Sequence, residues 1–304
     1  MRHWKIFAAL LLCAPLTFAS EAPYCGDEGV WVQILGAGGP ELHDGAAGPS
    51  YLLWIDNQAR LLIDAAPGAS ARFDEAGAAF EDLDAIVFSQ LSANHAGDLP
   101  AFIDGSRFHS RTRSLPVLGP EGGSSIGISA FVERLIGPDG AYPELADFLT
   151  VKSRGGYRLS VRGVPATGRR RWARFGNEDL QLAAVPVHHG SVPTLAWRVE
   201  TQGLSVVFAG DFSNRKNVMA EFAADADALV VSHAEPEHAR GEARDRHVTP
   251  SQIGRIAEQA AARMVILGHR MNRTRGRESQ SREAIEAQYS GALIFADDLE
   301  CWGL

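Results

Sequence analysis

The chain has 304 residues, 45% of them hydrophobic and 22% charged, and a formal net charge of −8. That length admits one large domain or two small ones, and the composition suffices for a buried core. The acidic balance argues against general attraction to nucleic acid or to an anionic membrane surface.

The first residues read as a processing signal. Arg2 and Lys5 precede an apolar run from Ile6 to Phe18, broken at Pro15. Thr17-Phe18-Ala19 then gives a small-residue cleavage pattern, with Ser20 or Glu21 as the mature start. Residues 1–20 are therefore expected to be a secretory signal peptide, followed by one domain over 21–304. The run is shorter than the ~20 residues a membrane span needs, so no span is expected after cleavage. Cys13 lies inside the run without a lipobox, which argues against lipidation. The expected location is periplasmic or extracellular. Removal of the signal leaves two cysteines, Cys25 and Cys301. In an oxidising compartment that pair is expected to form one disulfide clipping the two ends together.

Strands are expected at Val30 to Leu35, Ser50 to Ile55, Arg60 to Ile63 and Asp84 to Phe88, separated by Gly-, Asn- or Asp-rich breaks. A helix is expected from Ser124 to Leu135. Leu180 to Val187, Leu195 to Val199, Leu204 to Ala209 and Ala228 to Val231 read as further strands, with a helix from Asn217 to Ala224. Pro250 to Ala262 follows as a helix, with Thr249 as N-cap and Pro250 at the first position. Strand Met264 to Leu267, helix Gln280 to Gln288 and strand Ala292 to Phe295 close the chain. Hairpins followed by strand–helix units, twice over, imply two stacked sheets with helices outside. Residues 101–175 are the least regular, hold many Gly and Pro, and are expected to contain an insertion bordering the site. Within them, Val151 to Phe175 carries eight basic residues and no acidic one, among them Arg169, Arg170 and Arg171. Such a run reads as a solvated hairpin, with a patch for an anionic substrate as the alternative.

Polar residues sit where apolar strands end. Asp64 follows Leu61-Leu62-Ile63, and Ser89-Gln90-Leu91-Ser92-Ala93-Asn94-His95 follows Phe88. His188-His189, Asp211 and His269 each follow a later apolar run. Loops at one rim of a sheet scaffold commonly carry function, and His and Asp are good zinc ligands.

These blocks resemble the metallo-β-lactamase superfamily, and most closely its ribonuclease Z and arylsulfatase-like branch. ILGAGGP at Ile34 to Pro40 and LLIDAAPG at Leu61 to Gly68 are similar to the family's first two turns. FSQLSANHAGDLP at Phe88 to Pro100 stands where the family has His-x-His-x-Asp-His. Val187 to Arg198, Phe208-Ala209-Gly210-Asp211 and Leu267-Gly268-His269 match the later blocks. The resemblance implies an α/β fold, a four-layer αββα sandwich of the metallo-β-lactamase type. It also implies a metal-dependent hydrolase, with zinc as the metal.

The motif is degenerate. Gln90, Ser92 and Asn94 replace three of its ligands, and His95 alone remains. By the resemblance, the first metal would keep only Asp211 and His189, with His188 as the alternative. The second would keep His95, Asp211 and His269, with Asn94 as a weak neutral donor. Neutral amide and hydroxyl oxygens are poor replacements at a site that favours nitrogen and sulfur. Two divalent ions beside one carboxylate would also leave a large uncompensated charge. A single ion on His95, Asp211 and His269, aided by Asn94 or the middle His (His189 or His188), is therefore expected, with an empty site as the first alternative and two ions as the second. Three protein ligands and one open position is the usual catalytic zinc arrangement.

His247 stands in a His-Val-Thr element before Pro250, where the branch carries His-x-Thr. The resemblance implies a phosphate contact or proton donation to the leaving group, which an imidazole with a near-neutral pKa would suit. Catalysis is thus assigned to His247 and Asp211. Asp64 and Asp98 are expected to support the ligands, Asp98 by bonding a ligand His or else by capping the helix near Pro100. The expected partner is a small molecule carrying an ester, phosphoester, sulfate ester or lactone, with an anionic one permitted by the basic run. Export removes access to precursor tRNA. The alternative function is a non-catalytic binding protein that keeps the fold without a working metal centre.

Overall fold

The structure, a computed structural model, describes residues 25–123, 125–150 and 156–304. The expected signal peptide, Lys152 and Arg154 lie outside the described residues. Strands β1 (Val30–Gly36), β2 (Ser50–Ile55), β3 (Gln58–Ile63), β4 (Ala85–Val87), β5 (Leu115–Glu121) and β6 (Leu159–Pro165) form a first sheet. A second sheet holds β7 (Trp172–Gly176), β8 (Gln181–His189), β9 (Val192–Thr201), β10 (Leu204–Phe208), β11 (Ala228–Ser232), β12 (Met264–Gly268) and β13 (Ala292–Phe295). The last strand, β14 (Cys301–Gly303), returns to the first sheet beside β1. Each sheet begins as antiparallel hairpins and continues in parallel, from β3 to β6 and from β10 to β13.

Both faces of each sheet are covered, which is why the strands read as continuous apolar runs. In β2, Tyr51, Leu53 and Ile55 enter the core between the sheets, while Leu52 and Trp54 face the outer helices. In β12, Met264 and Ile266 point between the sheets, and Val265 and Leu267 point outward. Helices α1 (Ala69–Glu75), α2 (Ala93–Ala96), α3 (Leu99–Gly105) and α4 (Ile128–Ile136) cluster with the first sheet, burying Phe73, Phe102 and Val132. Helices α5 (Met219–Phe222), α6 (Glu242–Arg246), α7 (Pro250–Gln259) and α8 (Glu278–Glu286) accompany the second. There Phe222, Ile253, Ile256 and Ile285 pack on the strands. The result is the expected four-layer αββα sandwich. Trp197 locks the two sheets, fully buried between them, with its indole N–H donating to the Phe88 carbonyl at 3.0 Å.

Helix α7 starts as expected, on a capping box in which the Thr249 backbone N–H donates to Gln252 Oε1 at 3.0 Å. It ends at Gln259, short of the expected Ala262, because Ala261 turns left-handed at φ 52°. Residues 101–175 are corrected. Their described residues build β5, β6 and α4, which extend the first sheet and its helix layer instead of forming an insertion beside the site. Pro116, Gly119 and Pro120 mask the strand signal in β5, whereas pairing to β4 and β6 supplies its order. The helix expected from Ser124 begins only at Ile128, after Gly127.

Cys25 and Cys301 lie side by side, with Cα atoms 5.4 Å apart, a separation that suits the expected disulfide between the segment before β1 and β14. Cross-linking over so long a loop restricts the unfolded chain. Cys301→Ser is expected to cost about 2–4 kcal/mol, read as a lower Tm without reductant. An unchanged melting curve would count against a structural role for the bond.

Candidate metal centre

Five strand ends meet at one edge of the sandwich. Strands β3 and β4 run in parallel, and β8 and β10 share a direction because each is antiparallel to β9. Strand β12 runs the same way through β11. Their C-terminal ends deliver Asp64, the Gln90–His95 segment, His189, Asp211 and His269. Asp211 lies at the focus. The preceding Gly210 has φ 62°, and a Cβ there would sit 3.0 Å from the Leu195 carbonyl oxygen. Only glycine fits that turn without strain.

The Asp211 carboxylate is buried and fully engaged. Ser232 Oγ donates to Oδ1 at 2.7 Å, and the Gln90 amide donates to Oδ2 at 2.8 Å. Around it lie His95 Nε2 at 3.2 Å, His269 Nε2 at 3.6 Å, His247 Nδ1 at 3.8 Å and His189 Nε2 at 3.9 Å. Burial works against its ionisation, but the imidazoles of His269, His247 and His95 hold it well below the usual carboxylate range.

Asp64 supports His95. It adopts φ 59°, accepts the Ser89 backbone N–H and hydroxyl at 2.7 Å each, and lies 2.9 Å from His95 Nδ1. The His95 ring is thus held between two carboxylates. Burial alone would lower its pKa, but Asp211 and Asp64 outweigh that and push it up to about 10. The imidazolium therefore stabilises the metal-free fold fully below the unfolded pKa near 6.5, and that contribution is lost as pH rises through about 10. An ion on His95 must displace this proton. Zinc uptake at pH 7 is expected to release about one proton from His95, measurable in weakly buffered solution. Uptake without acidification would remove His95 from the ligand set.

His269 sits in left-handed backbone at φ 46°, an arrangement that costs about 1–3 kcal/mol and is typical of functional sites. Its ring stacks on His95 at 5.5 Å, and both its nitrogens are buried without a hydrogen-bond partner. Burial holds it below the usual imidazole pKa, against the pull of Asp211. His189 Nδ1 donates to the Arg246 carbonyl at 2.8 Å, which leaves Nε2 bare and facing Asp211. His188 turns away to Ser213 Oγ at 2.8 Å, so the structure brings His189 rather than His188 to the centre.

His247 also reaches the centre, its Nδ1 3.8 Å from Asp211 Oδ1. It stands in extended backbone between α6 and α7, with its ring edge-on to His189 at 4.9 Å. Burial pushes its pKa down to about 3, against the pull of Asp211. In the metal-free centre burial thus favours the neutral ring. Its Nδ1 is buried and unpartnered. Asp98 is corrected. Its Oδ2 accepts Gly68 N–H, Ser70 N–H and Ser70 Oγ–H at 2.9–3.0 Å, so it fastens the start of α1 instead of bonding a ligand His or capping α3. Ser92 Oγ donates to Asn94 Oδ1 at 2.8 Å, occupying the oxygen on which ligation by Asn94 would rest.

The residues present fit a metal ion. The ligand atoms of His95, Asp211 and His269 lie within 4.8 Å of one another, as do those of His189, Asp211 and His247. Imidazole nitrogens plus one carboxylate suit zinc, and unpartnered buried nitrogens at His269 and His247 are costly unless something binds them.

A cleft of about 400 Å³ opens onto this centre. Glu235, Arg246, Met271 and Arg273 line it and were not read from the sequence. Glu235 pairs with Arg273 at 2.7 Å. Ser232, the Asp211 partner, ends β11 and Glu235 follows in the loop after it, so the strand-end rule applied to β11 would have found them. The Arg-rich segment lies elsewhere. Arg162 is on β6, and Arg169, Arg170 and Arg171 are exposed in the turn leading to β7. No described residue from 101 to 175 lines the cleft.

Fold and centre together define a metallo-β-lactamase-type protein. Residues 59–270 match the family described as Beta-lactamase superfamily domain, and the chain belongs to that family. It is 27% identical over 290 residues to a ribonuclease Z of Mycolicibacterium paratuberculosis (strain ATCC BAA-968 / K-10), covering 88% of this chain and 96% of that one. Among solved structures, human tRNase Z short form superposes with a TM-score of 0.71 at 16% identity, covering 90% of this chain and 98% of that one. The metallo-beta-lactamase fold protein YhfI from Bacillus subtilis gives 0.68 at 19% identity, over the same shares.

Proposed function

We propose that the chain is an exported metal-dependent hydrolase with one catalytic ion on His95, Asp211 and His269. Its substrate is a small ester, phosphoester, sulfate ester or lactone. The observation that carries this reading is the convergence of those three side chains, with both His269 nitrogens buried and unpartnered. When bound, a divalent ion supplies Lewis-acid activation of water and of the scissile group. The chain does the rest. Asp64 and Ser89 fix the His95 ring, while Ser232 and Gln90 fix the Asp211 carboxylate. Arg273 and Arg246 at the cleft supply cationic groups, each already paired with a glutamate. His247 lines the same cleft, and its role in this reading is a phosphate contact or proton donation to the leaving group.

The curated relatives are named ribonuclease Z, but a net charge of −8 and export both argue against an RNA substrate. A metal-free binding protein is the competing reading. It is favoured by the Gln90 amide and the His95 imidazolium, which satisfy Asp211 without an ion. Metal analysis after purification with zinc, followed by an ester panel, tests the choice. One ion per chain and zinc-dependent turnover are expected. Well under one ion per chain would sink the hydrolase.

A further inference from the structure

The geometry points to Arg270 as the positioning residue that holds His269 ready for an ion, acting through a staple with Glu278. It rests on the reading above that His269 is a ligand. The His269 backbone is left-handed at φ 46°, a costly state that persists only where the surroundings over-determine it. Neither ring nitrogen has a hydrogen-bond partner, so the His269 side chain supplies no anchor of its own. The next residue supplies one. The Arg270 backbone N–H donates to the Ala37 carbonyl at 2.6 Å, beside a bridge between Arg270 and Gly38 past the end of β1.

The Arg270 side chain is buried and ties separate elements together. Its Nη1 donates to the Ala296 carbonyl at 3.2 Å and to Asp297 Oδ1 at 2.7 Å, just beyond β13. Its Nη2 donates to Glu278 Oε1 at the start of α8. The same Glu278 oxygen accepts the Gly276 backbone N–H at 3.1 Å. The pair thus closes the loop from Arg270 to Glu278 at both ends. Met271 and Arg273 on that loop line the cleft, so one staple sets a metal ligand and part of the cleft wall. The Asp297 side chain is 69% exposed, and a pair with so open a carboxylate contributes little. Glu278 and the Ala296 carbonyl therefore carry the fixation. Holding both at once suits the planar fork of a guanidinium better than the point charge of an ammonium.

The test is the zinc affinity of the full chain, read by competition with a chromophoric chelator. Cobalt(II) absorption and melting curves of the metal-free forms accompany it. Arg111 provides the control. It too is a buried arginine, donating to the Leu83 and Ser114 carbonyls at 2.7 and 3.0 Å, and none of its hydrogen-bond partners among the described residues belongs to the centre. Arg270→Gln should weaken zinc binding about ten- to a hundredfold and change the cobalt absorption. Arg270→Lys should recover part of that loss. Glu278→Gln should shift zinc affinity the same way, and it carries the test if Arg270→Gln does not fold. Arg111→Gln should lower the Tm but leave zinc affinity within about twofold of wild type. Wild-type zinc affinity in Arg270→Gln, or an equal loss in Arg111→Gln, would overturn the staple and leave the hydrolase standing. A wild type that takes up no zinc would overturn both.

Discussion

Asp211→Asn is expected to strip the purified protein of metal, weakening zinc binding by more than about a hundredfold. Groups that only support a ligand are worth roughly ten- to a hundredfold in affinity, and a shared charged ligand must exceed that. Asp211 faces every imidazole in the centre and is the only carboxylate in either candidate ligand set. The amide keeps the shape and can still accept from Ser232, so the fold should survive. The metal-free protein should nonetheless lose stability, because the His95 imidazolium loses one of its two buried carboxylates. Breaking a buried pair from one side costs on the order of 3–5 kcal/mol. Metal counting and melting curves measure the two effects separately. Retention of a full equivalent of zinc by the variant would refute the central place given to Asp211.

Restoring the lost ligands together, as Gln90→His/Ser92→His/Asn94→Asp, should raise the metal content to two tightly held ions. Turnover of a given ester should rise by roughly a hundred- to a thousandfold, the equivalent of a few kcal/mol from a second Lewis acid. Gln90 is the pivotal change. Its amide donates to Asp211 at 2.8 Å and so stands in for a cation on that side of the carboxylate. A histidine there would accept an ion instead. Equal metal content and equal rates for both forms would show that the degenerate motif carries no chemical consequence.

Much of this architecture could be read along the chain. Apolar runs ending in a polar residue marked β3, β4, β8, β10 and β12, because strands buried on both faces leave no alternation to interpret and their ends stand out. The strands hidden by Pro116, Gly119 and Pro120, or as short as β14, were invisible because partners distant in sequence hold them. The basic run was legible as charge but not as position, which the β6–β7 edge decides.

The candidate centre divides the same way. Sequence by itself determined which donor types stand at the strand ends, and that Gln90, Ser92 and Asn94 break the ligand pattern. Tertiary structure alone decided that His189 and not His188 faces Asp211, that Asp98 fastens a helix start, and that His247 is buried beside Asp211. The physical reason is distance along the chain. Gln90 meets Asp211 across 121 residues and His95 meets Asp64 across 31, so each orientation and each protonation state depends on groups that only folding brings together.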